Sequence, residues 1–221
     1  MTGDRPEAAS FEELVSVFAH ELKTPIAAVQ GLAAALVRSL DELDHVTAVR
    51  LAESLQRSAQ HLGELVSSFR ASGVAPRREP TDLDALVRET VEELRPVLAG
   101  RDVGLELGDR LTAAVDPVQI RQVLTNLLSN AARYSPAGSP VEVSLSRAGE
   151  TVELAVRDHG PGIPPEDAER VFERGARLAS GGGGSGLGLY LSRELARAHG
   201  GELVAELPDG EGALLVLRIP L

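Results

Sequence analysis

A histidine, a glutamate and a threonine stand together in the stretch Phe18-Ala19-His20-Glu21-Leu22-Lys23-Thr24-Pro25. An imidazole of ordinary pKa, about 6.5, is mostly neutral at pH 7, and its ring nitrogen can attack an electrophile such as phosphorus. The adjacent Glu21 carboxylate can take the proton that leaves the other ring nitrogen. Thr24, four residues after His20, shares its face on a helix and offers a hydroxyl to hold water for the reverse, hydrolytic step. A His-Glu pair on a helix is by itself usually a solvated face. It is not a zinc-protease pattern, because Thr24 stands where the second histidine would be.

Further along lies a second group of candidates. Asn126 and Asn130 are four apart and Arg133 continues their face, so one helix side carries two amide oxygens and a cation. Such a face suits a magnesium–triphosphate, although asparagines also cap or solvate helices. Asp158 closes a strand-like run and is followed by Gly160-Pro161-Gly162. The carboxylate can accept a hydrogen bond from an exocyclic amine such as adenine's, and the two glycines let backbone approach a flat ligand. An ordinary Gly-Pro turn would look the same. Gly184-Ser185-Gly186-Leu187-Gly188-Leu189 ends a glycine run and opens a helical pattern, so its backbone N–H groups form a phosphate cradle. It is neither a P-loop nor a dinucleotide fingerprint, having no Gly-Lys-Ser/Thr and no strand directly before it.

The elements that must position these groups follow from periodicity. Phe11, Leu14, Val15, Phe18, Leu22, Ile26, Val29, Leu32, Leu36 and Leu40 form one helical stripe from about Ser10 to Leu40. Val46, Val49, Leu55, Leu62, Leu65, Val66 and Phe69 form a second, after a short polar turn at Asp41–Asp44. His20 falls off the first stripe, towards solvent, and Pro25 should bend its helix. Two antiparallel helices of ~40 Å cannot bury both stripes, so a symmetric dimer is expected through residues 10–72.

Residues 73–80, with Gly73, Pro76 and Pro80, read as a linker to a second domain over 81–221. There Thr81-Asp82 caps a helix to about Leu98, and runs at 103–107 and 111–115 read as strands. Asp116-Pro117 opens the helix bearing the asparagines. A hairpin turns at Ala148-Gly149-Glu150, and two strands close the chain after His199-Gly200-Gly201. The glycine run from Ala179 to Ser185 reads as a mobile flap.

Composition narrows the classes. With aromatics at 3% the core must be Leu, Val, Ile and Ala, and without cysteine there is no disulfide framework and no thiolate metal site. A net charge of −11 with no basic block argues against a nucleic-acid partner. No apolar run approaches the ~20 residues of a membrane helix, and Met1–Ser10 is no signal peptide, so a cytoplasmic chain or the cytoplasmic part of a longer one is expected.

Taken in order, these motifs resemble the catalytic core of bacterial two-component sensor histidine kinases. His20 to Pro25 resembles the phospho-acceptor box and Asn126 to Tyr134 the asparagine box. Asp158-x-Gly160-x-Gly162 and Gly184-x-Gly186-Leu187-Gly188 resemble the two glycine boxes, and Phe172-Glu173-Arg174 the phenylalanine box. The resemblance implies an α+β chain: an N-terminal antiparallel helical hairpin forming a dimeric four-helix bundle, then a GHKL (Bergerat-type) α/β sandwich shared with gyrase, Hsp90 and MutL-like ATPases.

It also implies ATP and Mg2+ as cofactors, phosphorylation of His20 assisted by Glu21, and transfer to the receiver domain of a response regulator. Asn130 would then be the magnesium ligand, with Asn126 and Arg133 near the phosphates. Tyr134 would lie against adenine, Asp158 on its amine, and Gly186 and Gly188 around phosphate. Thr24 matches the position linked to phosphatase activity. Arg133 stands where lysine is common, and Gly175 where a second aromatic often packs the flap. Sensing falls to a region or partner outside these residues. A degenerate scaffold and a serine kinase or ATPase of the same nucleotide fold are the competing readings. Intact His20, Asn130 and Asp158 oppose the first, and the His-bearing hairpin opposes the second.

Overall fold

The computed structural model describes residues 11–38, 43–72, 75–98, 100–108, 110–176, 186–206 and 210–221, with side chains from Leu22 onward except 60–61, 64–65 and 67–72. Half of the expected Asp41–Asp44 turn and the glycine flap with Gly184 lie outside the described residues. The chain divides into two compact units, residues 1–73 and 74–221.

The first unit is a helical hairpin, α1 (Phe11–Arg38) packed on α2 (His45–Ser72). α1 runs through Pro25, whose side chain is buried. Asp44 starts α2 as a cap: its carboxylate accepts from Thr47 N–H at 2.9 Å and Thr47 Oγ1 at 2.8 Å. Those Thr47 bonds hold the carboxyl below its ordinary value. Apolar side chains remain uncovered: Ile26 is 42% exposed, Val46 59%, Val49 41% and Val66 49%. The pair of helices thus leaves part of both stripes unburied.

In the second unit, strands β2 (Val103–Leu107), β4 (Val141–Ala148), β5 (Thr151–Arg157), β7 (Leu214–Pro220) and β6 (Glu202–Glu206) form one mixed sheet in that order. β2 and β4 are parallel and the other pairs antiparallel. Alternation along each strand turns Val141, Val143 and Leu145, Val152, Leu154 and Val156, and Leu215, Leu217 and Ile219 inward. Three helices complete the core: α3 (Leu83–Glu93), α4 (Pro117–Tyr134) and α5 (Gly188–Ala198), with α4 packed against the other two. α4 alone buries Ile120, Val123, Leu124, Leu127 and Leu128 at 1% exposure or less. The α+β architecture expected from the sequence is therefore observed. Aliphatic side chains fill the core, as the scarcity of aromatics requires.

The differences from expectation are local. Glu79 and Pro80, read as linker, open strand β1 (Glu79–Asp82), which pairs antiparallel with β3 (Thr112–Val115). A four-residue strand holding a proline has no alternating apolar signature. Asp82 does cap α3, accepting from Ala85 N–H at 3.1 Å and pairing with Arg110, and both contacts lower its pKa. α3 stops at Glu93, short of the expected Leu98, and residues 94–98 form turns. Arg95 precedes Pro96, a position that disfavours helical backbone.

Two fastenings hold the helices where the candidate groups need them. Arg101 Nη2 donates to the carbonyls of Ala132 at 2.7 Å and Ser135 at 2.9 Å, closing the C-terminal end of α4. His199, 2% exposed, receives the Asp116 N–H on Nε2 at 3.0 Å and donates Nδ1–H to Leu195 O at 2.8 Å. The backbone donor fixes this tautomer. It ties the end of α5 to the start of α4, where Asp116 also caps Val118 and Gln119. His199 is thus a structural residue at a helix end.

Candidate functional site

The candidate residues of the second unit lie along the C-terminal half of α4, just after β5 and at the start of α5. Asp158 follows β5 directly and is 7% exposed. Its Oδ1 accepts from Gly160 N–H at 2.8 Å and Ala213 N–H at 3.2 Å, and its own N–H donates to Ala213 O at 2.9 Å. The carboxylate is therefore fixed through one oxygen. Among the described residues Oδ2 makes no hydrogen bond and remains an acceptor for a ligand.

Gly160 presses on the last turn of α4, where a Cβ would lie 2.9 Å from Tyr134 O. This contact brings the Asp158 loop beside Tyr134, which is 39% exposed. The turn between β6 and β7 braces the loop from behind. Gly162, Gly210, Glu211 and Gly212 line a pocket of about 460 Å³ together with Gly160 and Ile163.

Gly212 was not singled out by sequence, yet the approach there is the tightest of the site. A Cβ would stand 1.8 Å from Asp158 O, and φ is 108°. Gly210 has the same φ, but its Cβ would meet only the flexible end of Arg157 at 3.7 Å. Gly212→Ala is therefore expected to destabilise the unit by more than about 3 kcal/mol, and Gly210→Ala by the backbone strain of about 1–3 kcal/mol alone. Thermal unfolding of both variants measures this. Equal losses would show that the close approach to Asp158 is not what demands glycine.

On α4, Asn126 and Asn130 are half-buried and Arg133 is exposed. Asn126 Nδ2 donates to Ser192 Oγ of α5 at 3.0 Å. Asn130 makes no side-chain hydrogen bond among the described residues, so its amide is open to a ligand. Gly188 opens α5 against Asn126, and Leu187 before it is buried at 6% exposure. Gly186 is left-handed, with φ of 67°, and accepts a hydrogen bond from Gly175 N–H at 3.1 Å. Phe172 is 3% exposed and lies under Arg193 of α5, 4.8 Å from ring centroid to guanidinium carbon. Arg193 also pairs with Glu169 at 2.8 Å. His159, to which the sequence assigned no role, bonds Glu142 at 2.9 Å.

The phospho-acceptor candidates belong to the first unit. His20 and Glu21 lie on α1, and their side chains are outside the described residues. Thr24, one turn on, is exposed. The residues missed by sequence reading are Gly212, Ser192, Arg101 and Arg193. Each acts through a partner far away in the chain, and none belongs to a local pattern.

The candidate site of the second unit thus joins a carboxylate at a strand end, held by two backbone N–H groups, to a helix that carries asparagines and packs against the start of α5. Residues 115–221 match the "Histidine kinase-, DNA gyrase B-, and HSP90-like ATPase" family, and residues 12–72 match the "His Kinase A (phospho-acceptor) domain". The chain belongs to the sensor histidine kinase family. It is 36% identical over 228 residues to the sensor-like histidine kinase SenX3 of Mycobacterium tuberculosis, covering 98% of this chain and 55% of that protein. It thus spans about half the length of that relative.

Among solved structures, the mycobacterial sensor histidine kinase MprB superposes with a TM-score of 0.60 at 30% identity, covering 65% of this chain and 97% of that one. Full-length ShkA in complex with AMPPNP superposes with a TM-score of 0.67 at 25% identity, covering 95% of this chain and 45% of that one. Among the described residues no helix is long and apolar enough to cross a membrane.

Proposed function

We propose that this chain is the catalytic core of an ATP-dependent protein-histidine kinase, which phosphorylates His20 and passes the phosphoryl group to an aspartate of a response-regulator receiver domain. The observation that carries this reading is the joining, in one chain, of a phospho-acceptor half containing His20 to an ATPase half. In the first step a ring nitrogen of His20 attacks the γ-phosphorus. The bond to the bridging oxygen breaks, ADP leaves with that electron pair, and Glu21 takes the imidazole proton.

Asp158 Oδ2 accepts the hydrogen bond of adenine's exocyclic amine, and Tyr134 lies against the base. Gly186, Leu187 and Gly188 present the start of α5 to the phosphates, where N–H groups and the helix dipole favour negative charge. The AMPPNP bound to ShkA supports a nucleoside triphosphate as the ligand class. Bound Mg2+ supplies charge neutralisation on the phosphate oxygens, and the open amide of Asn130 is its protein ligand. Arg133 adds positive charge on the same side. Thr24 holds the water that hydrolyses the regulator's phosphoaspartate.

The uncovered Ile26, Val46, Val49 and Val66 support a homodimer closing a four-helix bundle. The core acts on the cytoplasmic side, under the control of a sensor region or a sensor partner.

Incubation with Mg2+ and γ-labelled ATP tests the reading. The expected label is lost in acid and kept in base, as a phosphoramidate requires. An acid-stable label would mean a hydroxyl ester, and a label lost in base an acyl phosphate; either overturns histidine as the acceptor. ATP binding without any label would leave a nucleotide-dependent scaffold.

A further inference from the structure

Asn126 and Ser192 lie one helical turn away from the two groups assigned to the phosphates. Asn126 is four residues before Asn130 on α4, and Ser192 four after Gly188 on α5. Their side chains meet, with Asn126 Nδ2 donating to Ser192 Oγ at 3.0 Å. Ser192 is 2% exposed, so its hydroxyl is closed to any ligand.

The other side of the same amide packs on the start of α5. A Cβ on Gly188 would lie 2.2 Å from Asn126 Oδ1, 3.0 Å from its Cγ and 3.1 Å from its Nδ2. The three nearest atoms all belong to one side chain, and Gly188 is not in the left-handed region. What demands glycine at 188 is therefore Asn126 and not the backbone conformation. Asn126 thus packs against the start of α5 from the side. Its oxygen faces the α5 backbone, which leaves it poorly placed for a metal.

We infer that Asn126 is a positioning residue and not a phosphate ligand. It bolts the first turn of α5 to α4 and so sets the spacing between Asn130 and the N–H groups of the glycine-rich helix start. The consequence for the triphosphate rests on the nucleotide reading above, whereas the bolt itself is a property of the two helices.

Calorimetry with Mg·ATP and with adenosine, on Ser192→Ala, Asn126→Ala, Gly188→Ala and Asn126→Ala/Gly188→Ala, tests it. Ser192→Ala cannot touch the ligand. It should nevertheless weaken Mg·ATP about tenfold, the worth of one hydrogen bond, while adenosine affinity stays as in the wild type. Gly188→Ala alone should lose Mg·ATP binding. Adding Asn126→Ala, which removes all three of these atoms, should restore it to the level of Asn126→Ala.

Wild-type Mg·ATP affinity in Ser192→Ala overturns the inference. So does a double variant no better than Gly188→Ala. If the wild-type chain itself binds no Mg·ATP, the nucleotide reading fails separately. The bolt is then judged by melting temperature, where the same rescue of Gly188→Ala by Asn126→Ala is expected and its absence refutes the bolt.

Discussion

An Asp158→Asn chain should fold normally, bind inorganic triphosphate as the wild type does, and lose ATP affinity by roughly 10²–10³-fold. The expectation comes from the division of labour between the two carboxylate oxygens. Oδ1 accepts the N–H groups of Gly160 and Ala213, which shape the loop and fasten it to β7. Asparagine retains an oxygen for those bonds. It places an amide donor where Oδ2 stood, facing another donor, the adenine amine. A hydrogen bond to a charged acceptor is lost, and two buried donors are set against each other.

Asp158→Ala would confuse the result, because it removes the fastening of the loop together with the ligand contact. Calorimetry with ATP and with triphosphate, beside a thermal melt, reads the separate effects. Equal weakening of both ligands would show that Asp158 does not meet the base. A lowered melting temperature would show that asparagine cannot keep the two backbone bonds.

What could be read in the sequence is what local chemistry encodes. The two long helices follow from apolar spacing, and the start of α4 from Asp116-Pro117, where the aspartate caps Val118 and Gln119. The placement of Asp158 at the end of a buried strand follows from the alternation of Val152 to Val156. What escaped has its cause elsewhere in the chain. β1 exists because β3 accepts it, with Glu79 opposite Val115 and Asp82 opposite Thr112. Ser192 reads as one more polar residue on a helix until Asn126 is placed against it. Gly212 reads as a turn glycine until Asp158 O is found in the space of its side chain.

Gly175 shows how such a distant cause reinterprets a departure from pattern. By the resemblance it stands where a second aromatic often packs the flap. In the structure it is left-handed, with φ of 76°, and its N–H donates to Gly186 O. A Cβ on Gly186 would fall 2.6 Å from Gly175 C, so the two glycines meet backbone to backbone. A bulky residue at 175 would be strained in that conformation. Phe172 is instead covered by Arg193, whose guanidinium lies over the ring while pairing with Glu169.

His20→Gln is expected to remove the phosphoryl label completely while Mg·ATP affinity stays within about twofold of the wild type, about 0.4 kcal/mol. The separation of the chain into two compact units is the reason these readouts part: His20 belongs to the first, and every residue assigned to the nucleotide to the second. Glutamine propagates a helix somewhat better than histidine, so α1 should be undisturbed and the melting temperature unchanged. The substitution keeps a polar side chain of similar length and removes only the nitrogen nucleophile. Residual acid-labile label at the wild-type rate would move the acceptor to another histidine. His199 could not take that role, since both its nitrogens are already bonded in the core. Loss of ATP binding along with the label would show that the units depend on each other for their fold, and the simple separation of acceptor from nucleotide machinery would have to be given up.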